Sequence, residues 1–220
     1  MSDQGPMPFG FPIMVDVRGQ PVFVAGGGRE AASKASTLAA LGARVTLWAD
    51  DHRETRALAD RPGIVLTDGA FDPAMLDGAR LAIVGTGRAE VDRPIATEAR
   101  ARGVLVNTVD DIPYCDWSAP AILRRGDLTI AIGTAGFAPA LAARLRDRLR
   151  DVVGPEHGQL LDIFRDVRPR IIASGRSFAD RRRLWYELVD GRALEYLRAG
   201  RADEAWRSID DAIAAWEATG

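Results

Sequence analysis

Short apolar runs alternate with segments of helical periodicity over the first half of the chain. We predict five buried strands, at 21–26, 43–50, 63–68, 79–86 and 104–109. Helices are predicted at 29–41 and 88–102, each ending at a glycine that can adopt a left-handed conformation. Strands that alternate with helices indicate right-handed crossovers and a largely parallel sheet. Residues 12–17 are also predicted to form a strand, which an Arg-Gly turn connects to the first strand of the sheet.

The pattern changes after Asp110. Residues 121–134 resemble two strands joined at Gly126-Asp127, and Pro139 stands at a favourable first position for a helix. Beyond Gly154-Pro155 the pattern is helical throughout, with helices predicted at 157–173, 178–189, 191–199 and 202–217. The sequence therefore predicts an α/β fold in three parts: a Rossmann-like parallel sheet over 1–112, a short α/β segment over 113–153, and a helical domain over 154–220.

Composition excludes several classes of function. The chain has 220 residues, 47% of them hydrophobic, and a formal net charge of −2, which predicts neither a nucleic-acid nor a membrane partner. A single cysteine permits no intrachain disulfide, and with two histidines it disfavours a four-ligand zinc site. The N-terminus lacks the basic and apolar regions of a signal peptide, so we expect a cytoplasmic protein.

Three consecutive glycines end the first predicted strand. Gly26-Gly27-Gly28-Arg29-Glu30-Ala31 fits the pattern G-x-G-x-x-(G/A). In that pattern Gly26 permits the tight turn, Gly28 lets a pyrophosphate approach the backbone, and Ala31 lets the helix pack closely on the sheet. The phosphates then meet the free N–H groups at the helix N-terminus. Because the motif follows a strand and opens a helix, it predicts a dinucleotide site.

An acid at the end of the second strand is expected to bind the adenosine ribose. Asp50 lies 24 residues after Gly26, and Asp51 is the alternative. Either residue could also be a loop or helix-capping acid. A carboxylate here would repel a 2′-phosphate, which favours NAD over NADP, although His52 and Arg53 could offset that repulsion.

The sequence contains none of the common catalytic motifs considered, but one carboxylate is a candidate catalytic group. Lys34 is the only lysine and falls in the first helix, no G-x-S-x-G elbow is present, and His52, His157 and Cys115 are scattered, so no metal site is predicted. Asp110 follows the fifth strand, at the edge where open α/β sheets bind ligands. Asp110 could equally cap the turn before Ile112-Pro113. The loop 133–139 is a second place where backbone N–H groups could meet anions.

Two long stretches resemble a known family. PIMVDVRGQPVFVAGGGREAASKASTLAALGARVTLWAD and NTVDDIPYCDWSAPAILRRGDLTIAIGTAGFAPALAARLRDRL are similar to the N-terminal part of siroheme synthases, over roughly residues 8–150. Members are precorrin-2 dehydrogenases, and many are also sirohydrochlorin ferrochelatases. The resemblance implies NAD⁺ as hydride acceptor, a tetrapyrrole substrate, Fe²⁺ or Co²⁺ as a metal substrate in bifunctional members, and a homodimer, with 113–153 as its dimerisation segment.

The resemblance also implies roles for particular residues. The aspartate of the family's N-x-V-D motif falls on Asp110, which would accept a proton. Cofactor contacts fall on the glycine loop with Arg29 and Glu30, on Asp50 and Asp51, and on Thr86 in the loop after the fourth strand. Substrate contacts are expected from Asn107, Thr134, Arg124 and Arg144, since arginine pairs with carboxylates in a bidentate manner.

Departures from the family pattern leave alternatives open. Residues 133–138 read GTAGFA where members have a loop richer in serine, with Thr134 in place of a serine and a bulky Phe137. The loop after the fourth strand reads Thr86-Gly87-Arg88 where acids usually follow the threonine. Two other hypotheses are therefore kept: a catalytically silent module that senses NAD or tetrapyrrole, and an unrelated Rossmann oxidoreductase.

Overall fold

The computed structural model describes residues 9–219. They form two compact units. Of these residues, 9–119 and Ala135–Phe137 belong to the first unit, and Pro120–Thr134 and 138–219 belong to the second. The division into three functional parts at residues 112 and 153 stays a prediction.

A five-stranded parallel sheet forms the centre of the first unit. Its strands are β1 (Pro21–Ala25), β2 (Arg44–Trp48), β3 (Ile64–Thr67), β4 (Leu81–Val84) and β5 (Leu105–Thr108). Their order across the sheet is β3-β2-β1-β4-β5. The two α-helices of this unit are α1 (Arg29–Ala40) and α2 (Ala89–Ala101). The predicted α/β fold is confirmed.

Continuous apolar runs become strands here because both faces of the sheet are covered. All four residues of β4 are buried, as are four of the five in β1. One core cluster packs around Val24, Leu47 and Ala35 of α1, and a second around Phe23, Val84 and Ile95 of α2. Helices on opposite sides of the sheet thus bury the alternate side chains of each strand.

The strand predicted at 12–17 is absent, and this prediction was wrong. The Arg18-Gly19 turn is present, with the Gln20 N–H donating to the Val17 carbonyl at 3.0 Å. Before that turn only Val17 is buried, whereas Ile13 is 61% and Met14 72% exposed. An apolar run without a partner strand makes no ladder of hydrogen bonds, so its hydrophobicity alone does not produce a strand.

The second unit combines an antiparallel hairpin with five helices. Strands β6 (Ala121–Arg125) and β7 (Leu128–Ile132) are joined at Gly126-Asp127, as predicted. The helices are α3 (Pro139–Val152), α4 (Pro155–Ala173), α5 (Phe178–Asp190), α6 (Ala193–Arg198) and α7 (Ala202–Ala218). Helices α4 to α7 share one apolar core built around residues such as Ile171, Leu184 and Ile213. Among residues 9–219, no helix has both the length and the apolar character needed to cross a bilayer.

Candidate active site at the carboxyl edge of the sheet

The parallel sheet brings most of the predicted site residues of the first unit to one edge. The glycine loop follows β1, Asp50 and Asp51 follow β2, Thr86 follows β4, and Asp110 follows β5. Since β1 lies between β2 and β4, the two acids Asp50 and Asp110 lie on opposite sides of the loop. Asp110 is two strand spacings from β1, about 10 Å. A dinucleotide lying across this edge would meet Asp50 at one end and Asp110 at the other.

The three glycines of the loop differ in what a side chain at each position would meet. Gly26 has φ +138°, and a Cβ there would overlap the Gly85 carbonyl. A Cβ at Gly27 would overlap the carbonyl oxygen of Asp51. At Gly28, by contrast, a Cβ would meet nothing within 4 Å. Gly26 and Gly27 therefore hold the loop against its neighbouring strands, and the open space lies at Gly28.

Gly28 is the N-cap residue of α1, with extended backbone and no side chain to cap the helix. Arg29 and Glu30 are exposed in the first helical turn, and Ala31 is buried against the sheet. The N–H groups of this turn are available for an anion, and the positive end of the helix dipole adds to the attraction.

The two acids after β2 differ in their partners. The Asp50 carboxylate accepts a hydrogen bond from Arg88 Nη2 at 2.6 Å, and both side chains are about half exposed. Asp51 accepts from Arg53 Nε at 2.6 Å and from the Arg53 N–H at 3.1 Å. The hydrogen bond from the Arg53 side chain lowers the pKa of the Asp51 carboxyl. Asp51 is thus engaged within its own turn, whereas Asp50 is bound to Arg88, the N-cap residue of α2.

His52 and Arg53, which could offset the repulsion of a 2′-phosphate, are both engaged by neighbouring groups. His52 is buried, and its Nε2 lies 2.8 Å from the Thr67 carbonyl. A carbonyl only accepts, so Nε2 donates to it, and Nδ1 shares a hydrogen bond with the Thr55 hydroxyl at 2.7 Å. Both ring nitrogens of His52 are therefore engaged by neighbouring groups, and Arg53 is paired with Asp51.

Thr86 is held by a buried carboxylate that the sequence analysis did not identify. Its N–H and its hydroxyl both donate to Asp92 Oδ1, at 3.0 and 2.7 Å. Asp92 belongs to α2 and is 4% exposed. The hydrogen bonds fix the loop after β4 to the start of α2. The cofactor role of Thr86 stays a prediction.

Asp110 has a backbone conformation that is uncommon outside glycine. Its φ is +58°, in the left-handed region, and the residue is exposed. The neighbouring Asp111 is one-fifth exposed and accepts from Arg93 Nε at 2.8 Å. That hydrogen bond raises the pKa of the Arg93 guanidinium. Of two consecutive acids, Asp111 is engaged in the fold, and the left-handed turn leaves Asp110 accessible to solvent.

The segment after Asp110 folds back onto β5. Asn107 Nδ2 donates to the Trp117 carbonyl at 2.9 Å, and the Thr108 hydroxyl donates to the Tyr114 carbonyl at 3.0 Å. The Cys115 thiol donates to the Thr108 carbonyl at 3.1 Å, and burial raises the pKa of this thiol. These contacts support the turn that holds Asp110. The substrate-binding role expected of Asn107 stays a prediction, although its amide already has a structural partner.

The remaining predicted substrate contacts belong to the second unit. Thr134 is half-buried and follows β7, Arg124 is exposed on β6, and Arg144 is exposed on α3. Two left-handed residues come directly after Thr134, namely Ala135 at φ +52° and Gly136 at φ +82°. Within residues 9–219, no group of three or more His, Cys, Asp or Glu side chains is arranged to hold a metal ion.

The sequence analysis assigned no role to four residues of this edge: Gly27, Gly85, Arg88 and Asp92. The G-x-G-x-x-(G/A) pattern leaves its second position open, so it gave no reason for Gly27. Gly85 is required because a Cβ there would lie 2.7 Å from Val109 Cγ2. Contacts between strands decide these positions, and no local spacing signals them.

Comparison with known proteins identifies the class. A family model for NAD(P)-binding matches residues 13–121, which include the glycine loop and the turn at Asp110. Residues 125–151 match a model described as sirohaem biosynthesis protein central, and residues 156–213 match one described as sirohaem synthase dimerisation region. The first unit is thus an NAD(P)-binding domain, which confirms the predicted class of cofactor.

The chain belongs to the siroheme synthase N-terminal family. It is 35% identical to the siroheme synthase of Chromobacterium violaceum over 93% of its own length and 44% of that protein. It is 34% identical to that of Sodalis glossinidius over 92% of its length and 43% of the relative. The chain thus spans less than half the length of these relatives. Membership sets aside the hypothesis of an unrelated Rossmann oxidoreductase.

The fold is shared with a solved structure. SirC, precorrin-2 dehydrogenase, superposes with a TM-score of 0.71 at 22% identity, covering 91% of this chain and 99% of that one. This likeness confirms the predicted architecture of parallel sheet, hairpin and C-terminal helices.

Proposed function

We propose that this chain oxidises precorrin-2 to sirohydrochlorin in siroheme biosynthesis, with NAD⁺ as the hydride acceptor, in the cytoplasm. The observation that carries the proposal is the position of Asp110: exposed, left-handed and at the carboxyl end of β5, on the same sheet edge as the open glycine loop. Family membership supplies the substrate class. NAD is preferred to NADP because Asp50 follows β2, where a carboxylate repels a 2′-phosphate.

The roles proposed for the site residues follow from the charges of the groups that they would meet. The reaction removes a hydride and a proton from the macrocycle, and NAD⁺ takes the hydride. Asp110, whose carboxylate is solvent-accessible, accepts the proton and passes it to water. Gly26 and Gly28, with Arg29 and Glu30 of the first helical turn, would hold the pyrophosphate of the cofactor through the glycine loop and its backbone N–H groups. Asp50 or Asp51 would bind the adenosine ribose, and Thr86 would add a further contact to the cofactor. Arg124 and Arg144 pair with substrate carboxylates, and Asn107 and Thr134 add hydrogen bonds.

Asp110→Asn provides the direct test, because it keeps the shape of the side chain and removes its basicity. With precorrin-2 and NAD⁺, the rate of NADH formation should fall at least about a hundredfold, the usual size of a general-base contribution. The dissociation constant for NAD⁺ should stay within about twofold. Asp111→Asn is the matched control, since that neighbour is bound to Arg93, and it should retain most of the activity.

Two results would contradict the proposal. Full turnover by Asp110→Asn would remove this carboxylate from the mechanism. If the unaltered chain bound NAD⁺ and tetrapyrrole without producing NADH, the silent sensing module would be the better description.

Metal insertion is the finer part of the proposal. Inserting Fe²⁺ into sirohydrochlorin requires pyrrole N–H groups to lose protons, which is the chemistry already assigned to Asp110. The metal would be a substrate bound by the macrocycle. Adding Fe²⁺ or Co²⁺ to sirohydrochlorin in the absence of NAD⁺ isolates this step by absorbance. Loss of chelation in Asp110→Asn is expected, and chelation no faster than in buffer would restrict the chain to dehydrogenation.

We also propose that the chain forms a homodimer through the groove between α4 and α5. This groove is an open cavity of about 530 Å³ lined by apolar and arginine side chains: Arg168, Ile172, Phe178, Arg181, Arg182, Trp185, Tyr186 and Val189. Ile172 is 53% and Phe178 75% exposed. The groove falls within residues 156–213, which match the sirohaem synthase dimerisation region. This location differs from the segment 113–153 that the resemblance implied for dimerisation. A second copy of the chain is therefore its proposed occupant.

Ile172→Arg tests the dimer, because it places another cation in a groove already lined by arginines. Sedimentation equilibrium should show the dimer dissociation constant rising at least about thirtyfold, as for a buried interface residue. Val65→Arg is the control, since Val65 is 62% exposed on β3 in the other unit. A dimer unaffected by Ile172→Arg, or a monomeric parent chain, would overturn this assignment.

A further inference from the structure

One ion pair joins the two segments that flank the glycine loop. Arg88 Nη2 lies 2.6 Å from Asp50 Oδ2. Asp50 comes two residues after β2, and Arg88 comes four residues after β4. In the sheet, β1 lies between these two strands. The pair therefore connects one side of the β1 carboxyl end to the other, at the place where the loop opens.

The fold does not depend on this pair. The two side chains are 45% and 55% exposed, and an ion pair so accessible to water contributes little to stability. Arg88 is the N-cap residue of α2, but it caps with its backbone: its carbonyl accepts from the N–H groups of Val91 and Asp92 at 2.9 Å. The Arg88 side chain is thus free to change partners without disturbing the helix.

A dinucleotide offers each member of the pair a better partner. Its ribose hydroxyls are donors for a carboxylate, and its pyrophosphate carries negative charge. The pyrophosphate would approach the loop at Gly28, where the structure leaves open space. An arginine can bind phosphate through two parallel N–H groups, which is a stronger interaction than an exposed pair with one carboxylate oxygen.

We propose that Arg88 grips the pyrophosphate of the bound dinucleotide, and that its transfer from Asp50 releases that carboxylate to bind the adenosine ribose. The inference rests on the proposed dinucleotide site and assigns a new residue to it. Because of this exchange, binding of the pyrophosphate by Arg88 and binding of the ribose by Asp50 depend on each other. A ligand with ribose and pyrophosphate satisfies both residues, whereas adenosine alone must separate the pair and leave Arg88 without a counter-ion.

Binding of ADP-ribose and of adenosine to Arg88→Met, measured by titration calorimetry, tests this exchange. ADP-ribose should bind at least about tenfold more weakly, because a charge-assisted hydrogen bond is lost. Adenosine should bind about two- to fivefold more tightly, because Asp50 no longer has to leave an ion pair. Arg88→Gln should show the same opposite signs. Arg102→Met is the matched control: Arg102 follows the other end of α2, is paired with Asp77, and should leave both affinities unchanged.

The outcomes separate the possible roles of Arg88. If Arg88→Met weakened adenosine as much as ADP-ribose, Arg88 would only be positioning Asp50, and the exchange would be overturned. Unchanged affinity for both ligands would also overturn it. Failure of the unaltered chain to bind ADP-ribose would instead remove the proposed dinucleotide site, and the exchange with it. Thermal melting of each variant confirms that the compared proteins are folded.

Discussion

Steric contacts between backbone segments separate the roles of neighbouring glycines in the loop. A side chain at Gly27 would overlap the Asp51 carbonyl, while a side chain at Gly28 would extend into open space. Both residues have backbone angles outside the left-handed region, so conformational freedom does not explain either one. Gly27 is needed by the fold, and Gly28 is needed by the ligand that we propose.

Substituting alanine at each position should separate these two requirements. Gly27→Ala should lower the free energy of unfolding by about 3 kcal/mol, since the overlap is with main chain and cannot be relieved by a side-chain movement. Gly28→Ala should lower the free energy of unfolding by about 1 kcal/mol or less, because alanine is a poorer helix N-cap than glycine. The same substitution should weaken NAD⁺ binding about tenfold or more.

Urea unfolding and calorimetric titration of the two variants give both numbers. A Gly28→Ala variant that bound NAD⁺ normally would show that the phosphates do not approach this residue. Normal stability of Gly27→Ala would mean that the loop can move away from the segment after β2.

At the scale of the elements, the contact between α4 and the β6–β7 hairpin leaves no room for a side chain at Gly158. Gly158 is buried in α4, and a Cβ there would lie 2.5 Å from the Arg125 carbonyl oxygen. Arg125 Nε in turn donates to the Val153 carbonyl at 2.8 Å, just before α4 begins. A two-stranded hairpin is marginal alone, so this close packing is what gives it a fixed position in its unit.

Gly158→Ala should therefore destabilise the second unit by about 2 kcal/mol, although alanine is the better helix former at an exposed site. Gln159→Ala, on the exposed side of the same helical turn, should change stability by no more than about 0.5 kcal/mol. Chemical denaturation followed by tryptophan fluorescence would show the difference. Equal stability of the two variants would mean that the hairpin and α4 do not need this close approach.

The molecule as a whole contains two units with separate hydrophobic cores. The sheet of the first unit is covered by two apolar clusters, and helices α4 to α7 of the second share a third. The residues proposed to bind the cofactor all lie in the first unit. Ligand binding stabilises what it binds, in proportion to the logarithm of ligand concentration over the dissociation constant.

Differential scanning calorimetry should accordingly resolve two transitions, of which NAD⁺ shifts one. At a hundred times its dissociation constant NAD⁺ adds about 2.7 kcal/mol, which raises the midpoint of that transition by about 10 °C. The other transition should instead depend on protein concentration, because the dimer groove lies in the second unit. A single transition that moved as a whole with NAD⁺ would show that the two units unfold together.

Sequence patterns predicted the elements best where local signals were strong. The five sheet strands, the hairpin turn at Gly126-Asp127 and the helix beginning at Pro139 were all confirmed. The strand predicted at 12–17 failed because pairing is not a local property. The roles of Asp110 and of the other site residues stay predictions, but their placement at one sheet edge follows from the parallel topology that the alternation predicted.

The sequence by itself determined the alternation of strands and helices, the glycine loop and the family, because periodicity and short motifs are written in consecutive residues. Only the tertiary structure decided the order β3-β2-β1-β4-β5, which places Asp50 and Asp110 on opposite sides of the loop. It also decided that Asp92 holds Thr86, that Asp110 is left-handed, and that Arg88 reaches Asp50 from the segment between β4 and α2. These contacts join residues from different elements, and their distances depend on how the strands are ordered and packed.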